Sequence, residues 1–405
     1  MYVKKIFSLF LCIFVILFTV TGCVHHPGNE ESTSSSGTYY SGDTVKVTYE
    51  TTGTAPNTIE ANLRVLSFNV RMDLQPTIGM INGVSLNRVQ AVREQILSYE
   101  PDLIGLQEDV PRWIDNIDID TNSYTAYRPD ASMGRTEEYC SIYVKNGIKV
   151  KNSGWKWITA DGTNNTVALT YSELTDGDGK YDMSAQDLGT LGITNNATLK
   201  TTYKDDETGT NYSNKLAARL MNWIVAEVNG QDVIYVNTHF QHRGYNNRAY
   251  DEHPLFMLRY YERCAQFDMV QDQIEILKFL YPNASVILTA DFNDTSYSGF
   301  YEKIRESYTD SMKAAKKGIK IENTWNAAYD NDKQGQGYTA TNENLVSGRI
   351  DFCFVSDDLS DSVLLYRTGA CKWTLEMSEA TLVTNVNVYP SDHLPVIVDL
   401  AVGKS

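Results

Sequence analysis

Short apolar segments rich in β-branched residues recur along this chain, and most of them end in an acid, an amide or an imidazole. LSFNV carries Asn69, GLQED carries Glu108, VNTHF carries His239, and TADFND carries Asp291 and Asn293. Such segments are typical of buried β-strands. Because a core requires no polar group where a strand ends, the repetition indicates that one edge of a layered sheet structure collects these side chains.

Two further segments extend the pattern: SDHLPVIVDL carries Asp392 and His393 near its start, and RIDFCFV places Asp351 among apolar neighbours. A single Asn or Asp at a strand end is usually a turn former or a cap. Repeated around one edge, such groups make it strongly anionic, and buried charge of one sign requires a cation. Oxygen ligands such as Glu108 and Asn69 favour Mg²⁺ or Mn²⁺, and the histidines lack the spacing of a zinc motif.

Helical patterns separate the strands at irregular intervals. NRVQAVREQILSYEPD places Val89, Val92 and Ile96 on one face, and Pro101 ends the helix. A longer helical pattern covers residues 254–282. Irregular interspersion predicts an α+β fold, a layered sandwich with helices outside, and argues against a strict βαβ array.

The N-terminus has the features of an export signal. Lys4 and Lys5 precede the apolar run IFSLFLCIFVILFTV, and small residues lead to Cys23. The run is shorter than the ~20 residues of a membrane-spanning helix. Residues 1–22 therefore resemble a bacterial lipoprotein signal peptide with Cys23 as the lipidated residue, and an uncleaved helical anchor is the alternative. Either predicts an exported protein held at the outward face of the bacterial cell membrane.

The remaining chain divides into three parts by composition. Residues 23–60 are rich in Ser, Thr and Gly and predict a disordered tether, in which TVKVTYETT forms an edge strand. Residues 61–402 form the main domain, and with 42% apolar residues in the chain a sizeable core is expected. A polar insertion at about residues 159–216 interrupts the strands.

Charge and cysteine content narrow the class of protein. A net charge of -16 argues against a surface that tracks nucleic-acid phosphates, so nucleic acid is possible but not favoured as a partner. We also expect a monomer. Cys140, Cys264, Cys353 and Cys371 show neither CxxC nor zinc-ligand spacing. Buried or free thiols are predicted, and a disulfide remains an alternative in an exported protein.

The motifs, taken together and in order, resemble those of the endonuclease/exonuclease/phosphatase superfamily, the group of deoxyribonuclease I, apurinic endonucleases, inositol polyphosphate 5-phosphatases and neutral sphingomyelinases. The resemblance covers about residues 63–400 and rests on LSFNV, DLIGLQED, EEYCSIY, NTHF, ILTADFND, RIDFCFV and SDHLPV. It implies a four-layer α/β sandwich with two central, mostly antiparallel sheets. It also implies metal-dependent hydrolysis of a phosphate ester, with Mg²⁺ or Mn²⁺ as cofactor.

The resemblance assigns the metal site and one catalytic pair. Glu108 would be the main metal ligand, assisted by Asn69 and Asp392. His393 would act in general base chemistry or hold the transition-state phosphate, and Asp351 would fix its tautomer.

The resemblance also assigns a second group of side chains. His239, paired with Glu138, would bind a phosphate oxygen or protonate the leaving group. Asp291 would position or deprotonate the attacking water, and Asn293 would donate a hydrogen bond to the phosphate. A base at the water contributes typically ~10²–10⁴-fold to such a reaction.

Two arginines are candidates for substrate binding. Arg219, in RLMNWIV, resembles a pattern of secreted bacterial members and would fork onto a phosphate. The alternative for Arg219 is a salt-bridged residue where a strand begins. Arg243, in QHRG, is a second phosphate candidate.

The sequence is compatible with several classes of substrate. The negative charge and the acidic KDDETG segment favour a sugar phosphate, an inositol phosphate or a phospholipid headgroup over duplex DNA, since a nuclease normally presents basic loops with aromatic residues. A nuclease acting on extracellular nucleic acid and a catalytically inactive binding lipoprotein are the alternatives. Because every motif position holds a residue competent for chemistry, an enzyme is favoured.

Overall fold

The structure, a computed structural model, describes the main domain with gaps. The described residues are 33–40, 45–54, 60–71, 77–81, 84–110, 119, 122–129, 138–159, 169–191, 193, 202–204, 211–213, 218–242, 254–318, 324, 348–377 and 391–403. The predicted signal peptide, Cys23 and Arg243 lie outside these residues.

The strands account for most of the regular structure. In chain order they are β1 (Thr33–Tyr40), β2 (Val45–Thr54), β3 (Leu63–Asn69), β4 (Thr77–Ile81), β5 (Val84–Asn87), β6 (Leu103–Gln107), β7 (Tyr124–Tyr127), β8 (Ile142–Lys145), β9 (Lys149–Trp157), β10 (Thr202–Lys204), β11 (Asn211–Ser213), β12 (Leu220–Val228), β13 (Gln231–His239), β14 (Ser285–Asp291), β15 (Thr309–Asp310), β16 (Lys317–Gly318), β17 (Asp351–Val355), β18 (Val363–Thr368), β19 (Ala370–Met377) and β20 (Val396–Leu400).

The helices lie between these strands. They are α1 (Arg88–Ser98), α2 (Ala185–Thr190), α3 (Pro254–Leu280), α4 (Gly299–Arg305) and α5 (Ser311–Ala314), with a 3₁₀ helix at Asp357–Ser362. The two helices predicted from sequence, α1 and α3, are confirmed. Ser184 and Ser298 cap α2 and α4, each accepting a hydrogen bond from a backbone N–H of the first turn.

Two large sheets form the centre of the domain. One is six-stranded, in the order β15-β17-β14-β13-β12-β9, and the other is seven-stranded, in the order β16-β18-β20-β3-β6-β8-β7. Most neighbours are antiparallel, but three pairs are parallel: β3 with β6, β13 with β14, and the short β16 with β18. This arrangement confirms the predicted four-layer sandwich with two mostly antiparallel sheets.

Three apolar clusters define the four layers. Between the sheets, Val65 and Leu103 of one sheet pack with Ile224, Tyr235 and Ile287 of the other. The outer face of the six-stranded sheet is covered by α3 and α4, and that of the seven-stranded sheet by α1. The central strands are therefore buried on both faces, which explains why their sequences are apolar almost throughout.

The β3–β6 and β13–β14 pairs bring the carboxyl ends of their strands to one edge of each sheet. Asn69 is the Cα partner of Gln107 in one pair, and His239 is that of Asp291 in the other. The polar side chains at the ends of β3, β6, β13 and β14 thus collect at one rim of the sandwich.

The predicted tether and the predicted insertion also contain regular or buried structure. Within the segment predicted as a tether, β1 and β2 form a three-stranded sheet with β19, in which β2 is the central strand and not the edge strand that the sequence suggested. Within the predicted insertion, Leu174, Leu188 and Leu191 are buried in the cluster that contains α3. Among the described residues, no helix is long and apolar enough to cross a membrane.

Candidate active site

Asp291, the last residue of β14, lies at the centre of the polar rim. Its Oδ2 accepts a hydrogen bond from Asn69 Nδ2 at 2.9 Å, and the same Nδ2 donates to Glu108 Oε1 at 3.0 Å. Asp291 Oδ2 also lies 3.4 Å from His239 Nε2 and 3.8 Å from His393 Nε2. Residues from both sheets therefore converge on a single carboxylate.

Glu138 connects three other groups of the rim. Its Oε2 lies 2.7 Å from His239 Nδ1 and accepts a hydrogen bond from the backbone N–H of Glu108 at 2.8 Å. Arg219 Nη1 forms an ion pair with Glu138 Oε1 and lies 2.7 Å from His239 Nδ1. Burial alone would raise the pKa of Glu138, but the charges of Arg219 and His239 outweigh it and lower the pKa to about 2.

Both ring nitrogens of His239 are in contact with fixed groups. Asn293 Nδ2 lies 2.7 Å from Nε2 of the ring and also donates to the backbone oxygen of Phe240 at 3.1 Å. A proton on Nδ1 would be shared with Glu138, whereas Nε2 faces the Asn293 amide and, at 3.4 Å, the Asp291 carboxylate.

His393 is held by a second carboxylate. Its Nδ1 lies 2.8 Å from Asp351 Oδ2, and the same oxygen accepts a hydrogen bond from Thr324 Oγ1 at 2.6 Å. Burial lowers the pKa of His393, but Asp351, Asp392 and Asp291 together raise it well above its ordinary value. Burial raises the pKa of Asp351, and His393 opposes that effect. The imidazolium form of His393 is thus favoured.

Ser391 ties the loop that carries Asp392 and His393 to β3. Its Oγ donates to the backbone oxygen of Asn69 at 2.7 Å and accepts from the backbone N–H of His393 at 3.1 Å. Leu394 N donates to the backbone oxygen of Thr324 at 2.7 Å. The loop is consequently fixed on both sides of His393.

The backbone around the rim adopts left-handed conformations at residues other than glycine. The φ angles are 58° at Arg71, 60° at Glu108, 46° at Cys140 and 52° at Asn293. Such conformations cost of order 1–3 kcal/mol and persist only where surrounding contacts enforce them. Their concentration here indicates that the rim has been shaped for a purpose other than stability.

The donor set fits a hard divalent cation. Ligand atoms of Glu108, His239 and Asp291 all lie within 4.8 Å of one another, and the same holds for Asp291, Asp351 and His393. Glu108 and Asp291 share one amide donor, so two carboxylates stand close together. A divalent cation would neutralise such a pair, and carboxylate oxygens suit Mg²⁺ or Mn²⁺.

The structure brings most of the predicted site residues together. Those that meet through the contacts above are Asn69, Glu108, Glu138, Arg219, His239, Asp291, Asn293, Asp351 and His393. Asp392 is next to this set in sequence but is not a member of either potential ligand group. Arg219 adopts the alternative considered from sequence, a salt-bridged arginine at the start of a strand.

Sequence reasoning missed several supporting residues. Thr324 lies outside every motif, and Ser391 lies in SDHLP without an assigned role. Each forms a hydrogen bond with a predicted site residue. Hydroxyl side chains carry no periodic signal, so only their position in space identifies them. Among the described residues, Cys140, Cys264 and Cys353 are buried free thiols, as the spacing favoured.

A four-layer sandwich with carboxylates and imidazoles at the carboxyl ends of its central strands defines the deoxyribonuclease I-like class of protein. The family model described as the Endonuclease/Exonuclease/phosphatase family matches residues 66–393, and the chain belongs to this family. Its members are phosphoesterases that typically depend on a divalent metal. The family predicted from the motifs is therefore confirmed.

Solved structures share the fold at low sequence identity. An endonuclease/exonuclease/phosphatase from Bacteroides vulgatus aligns with a TM-score of 0.50 and 20% identity, over 84% of this chain and 98% of that one. A family member and a mannosyl-6-phosphatase, both from Bacteroides thetaiotaomicron, align with a TM-score of 0.52 and 16% identity, over 84% of this chain and 97% and 99% of theirs. No curated protein shows significant sequence similarity to this chain.

Proposed function

We propose that this protein hydrolyses a phosphate ester with the help of Mg²⁺ or Mn²⁺, at the outer surface of a bacterial cell. The observation that carries the proposal is the convergence on Asp291 Oδ2, which accepts from Asn69 and lies 3.4 Å and 3.8 Å from the imidazoles of His239 and His393. Carboxylate and imidazole groups held this close supply both a cation site and proton transfer.

The cation would be held mainly by Glu108 with the help of Asn69, whose side chain contacts Glu108 Oε1 at 3.0 Å, and Asp291 would stay available as a base. Asp392, beside His393, is the further ligand that we propose from sequence. When bound, a divalent cation neutralises charge on the phosphoryl oxygens.

His393 would act on a phosphoryl oxygen and Asp291 on the attacking water. The Asp351 carboxylate favours the imidazolium form of His393, which would donate a hydrogen bond from Nε2 to a phosphoryl oxygen. Asp291 Oδ2, 3.8 Å from that nitrogen, would accept a proton from the attacking water.

His239 and Asn293 would act on the leaving group and the phosphate. Glu138 would stabilise the imidazolium form of His239 through Nδ1, and this form would donate its Nε2 proton to the departing oxygen and become neutral. Asn293 Nδ2, now in contact with Nε2 at 2.7 Å, would turn to a phosphoryl oxygen. Arg219 supports Glu138, and Arg243 remains a candidate for phosphate binding.

A small phosphorylated molecule is the substrate class that we favour. The chain carries a net charge of -16, which opposes docking of a nucleic-acid backbone. Sugar phosphates, the class named for one of the structural relatives, lead the list, followed by inositol phosphates and phospholipid headgroups. Lipidation of Cys23 would hold the enzyme at the membrane, where it would act as a monomer on extracellular phosphate esters.

Hydrolysis by the chain lacking residues 1–22 tests the proposal. We expect turnover of p-nitrophenyl phosphate or bis-p-nitrophenyl phosphate with Mg²⁺ and its loss with EDTA. Turnover of the monoester alone would indicate a phosphatase, and turnover of the diester alone would indicate a phosphodiesterase. Full activity in EDTA would contradict the metal site.

A matched pair of variants locates the activity. Glu108→Ala should lower kcat by orders of magnitude, since charge stabilisation at the phosphate is lost. Glu227→Ala, which removes a surface carboxylate paired with Lys149 and Lys151, should leave kcat unchanged. Equal rates for both variants would refute the assignment.

A further inference from the structure

The segment Tyr139–Ser141, directly after Glu138, has an irregular backbone although it is buried. Cys140 has a φ of 46°, which β-carbon-bearing residues rarely adopt, and its side chain is fully buried. Regular pairing with β6 begins only at Ile142. Its last carbonyl, that of Ser141, accepts a hydrogen bond from the Leu106 N–H at 3.0 Å, and groups outside a sheet ladder must hold the rest of the segment.

Two asparagines from the opposite sheet bind the carbonyl groups of the segment. Asn222 Nδ2 donates to Tyr139 O at 2.7 Å and to Cys140 O at 2.9 Å. Asn237 Nδ2 lies 3.0 Å from Cys140 O and 3.3 Å from Ser141 O. Every carbonyl of the segment therefore faces an amide donor.

The two asparagines form one unit. They are Cα partners on β12 and β13, so their side chains leave the same face of the six-stranded sheet. Asn237 is anchored further, because it donates to Leu106 O at 2.8 Å and its Oδ1 accepts from Gln107 Nε2 at 2.6 Å. Both anchors belong to β6, which Glu108 directly follows, so the unit spans the gap between the sheets directly beneath the rim.

Asp109 holds the same segment from the other side. The Tyr139 N–H donates to Asp109 O at 3.2 Å, and the Ser141 N–H donates to Asp109 Oδ2 at 3.1 Å. Donors and acceptors of the segment are thus satisfied by groups fixed to β6, β12 and β13, which restricts the position of the residue that precedes it.

We infer that Asn222 and Asn237 are positioning residues for Glu138. They keep Cys140 in its left-handed conformation and thereby place the Glu138 carboxylate 2.7 Å from His239 Nδ1 and 2.8 Å from the Glu108 N–H. The inference rests on the proposed function only in that Glu138 is assigned a role through His239. Neither asparagine contacts the reacting groups, so they act through Glu138.

Asn222→Ala tests the inference, with Asn62→Ala as the matched control. Asn62 also binds a backbone carbonyl, that of Val402 at 2.6 Å, but at the start of β3, away from the rim. We expect Asn222→Ala to lower kcat on the order of 10–100-fold with KM unchanged, because small displacements of catalytic groups have effects of this size. Asn62→Ala should change kcat less than about twofold, the scatter expected where no catalytic group moves.

A glycine at position 140 supplies a rescue that a merely structural role would not show. Glycine adopts positive φ without steric cost, so Cys140→Gly should reduce the dependence on Asn222. The fold-decrease in kcat caused by Asn222→Ala should be several-fold smaller in the Cys140→Gly background than in the wild type. Additive effects in this double-mutant cycle would overturn the inference.

A spectroscopic measurement separates this inference from the proposed function. In protein labelled with ¹⁵N-histidine, the Nδ1 proton that His239 shares with Glu138 should give a downfield signal. Asn222→Ala should shift or abolish the signal, and Asn62→Ala should not. If no phosphate ester is hydrolysed but Asn222→Ala shifts or abolishes the signal, the proposed function fails and the positioning role stands. If hydrolysis proceeds and Asn222→Ala leaves the signal unchanged, the positioning role fails.

Discussion

His239 and Asp291 end adjacent parallel strands in the same register, and His239 Nε2 lies 3.4 Å from Asp291 Oδ2. The contact joins residues separated by α3, and it exists because both strands stop at one edge of the sheet. From the other sheet, Asn69 reaches the same oxygen at 2.9 Å. The spacing of the site thus depends on strand register and on the packing of two sheets, both of which are rigid.

Asp291→Asn should lower kcat by about 10²–10⁴-fold, because it removes the charge that would accept the proton of water. The fold should persist, since the amide oxygen still accepts from Asn69. Steady-state kinetics and a thermal melt check both points. Asp358→Asn is the control, because Asp358 accepts a hydrogen bond from Ser285 at the opposite end of β14. Near-normal turnover by Asp291→Asn would remove Asp291 from the mechanism.

Thr324→Val should lower kcat by about tenfold. The hydroxyl donates to Asp351 Oδ2 at 2.6 Å and accepts from the backbone N–H of Asp351 at 3.0 Å, so its loss frees the carboxylate that orients His393. Thr309→Val is matched chemically, since Thr309 Oγ1 donates to Asp357 Oδ1 at 2.9 Å on the surface. Steady-state kinetics of both variants check this expectation. Equal kcat values would show that Thr324 does not help Asp351 to orient His393.

The stability of the protein should fall in acid partly through Glu138. Its pKa is lowered to about 2 from an ordinary 4.5. The stabilisation from this group is therefore complete above pH 4.5 and is lost as the pH falls towards 2. In urea unfolding, the advantage of the wild type over Glu138→Gln should shrink by about 2 kcal/mol between pH 5 and pH 3. An advantage that does not change with pH would contradict the ion pair with Arg219.

Gly105→Ala should destabilise the fold by about 1–3 kcal/mol through overpacking. A β-carbon at this position would lie 2.5 Å from both Asn237 Oδ1 and Tyr235 Oη, within a buried hydrogen-bond network that cannot yield. Gly189→Ala is the comparison, because nothing lies within 4 Å of a β-carbon there. In α2 this second change should be neutral or stabilising by up to about 1 kcal/mol. Calorimetry of the two variants measures these changes in stability. An unchanged stability of Gly105→Ala would contradict the predicted overpacking.

Much of the fold follows from local patterns. The apolar runs that end at Asn69, Glu108, His239 and Asp291 are strands, or adjoin them, in the structure. Helix α1 begins and ends where its periodicity and Pro101 indicate. The central position of β2 in a three-stranded sheet could not be foreseen, because its partner β19 lies far along the chain and alternation does not distinguish an edge from a centre.

The sequence by itself determined which residue types stand at the ends of the strands and hence the chemistry available, since strand apolarity and end-group identity are local properties. The tertiary structure decided which groups touch. It directed Arg219 to Glu138 and placed Thr324 behind Asp351. It also set Asn222 and Asn237 across the gap between the sheets. These partners are chosen by register and sheet packing, which act between residues distant in sequence and leave no periodic trace in it.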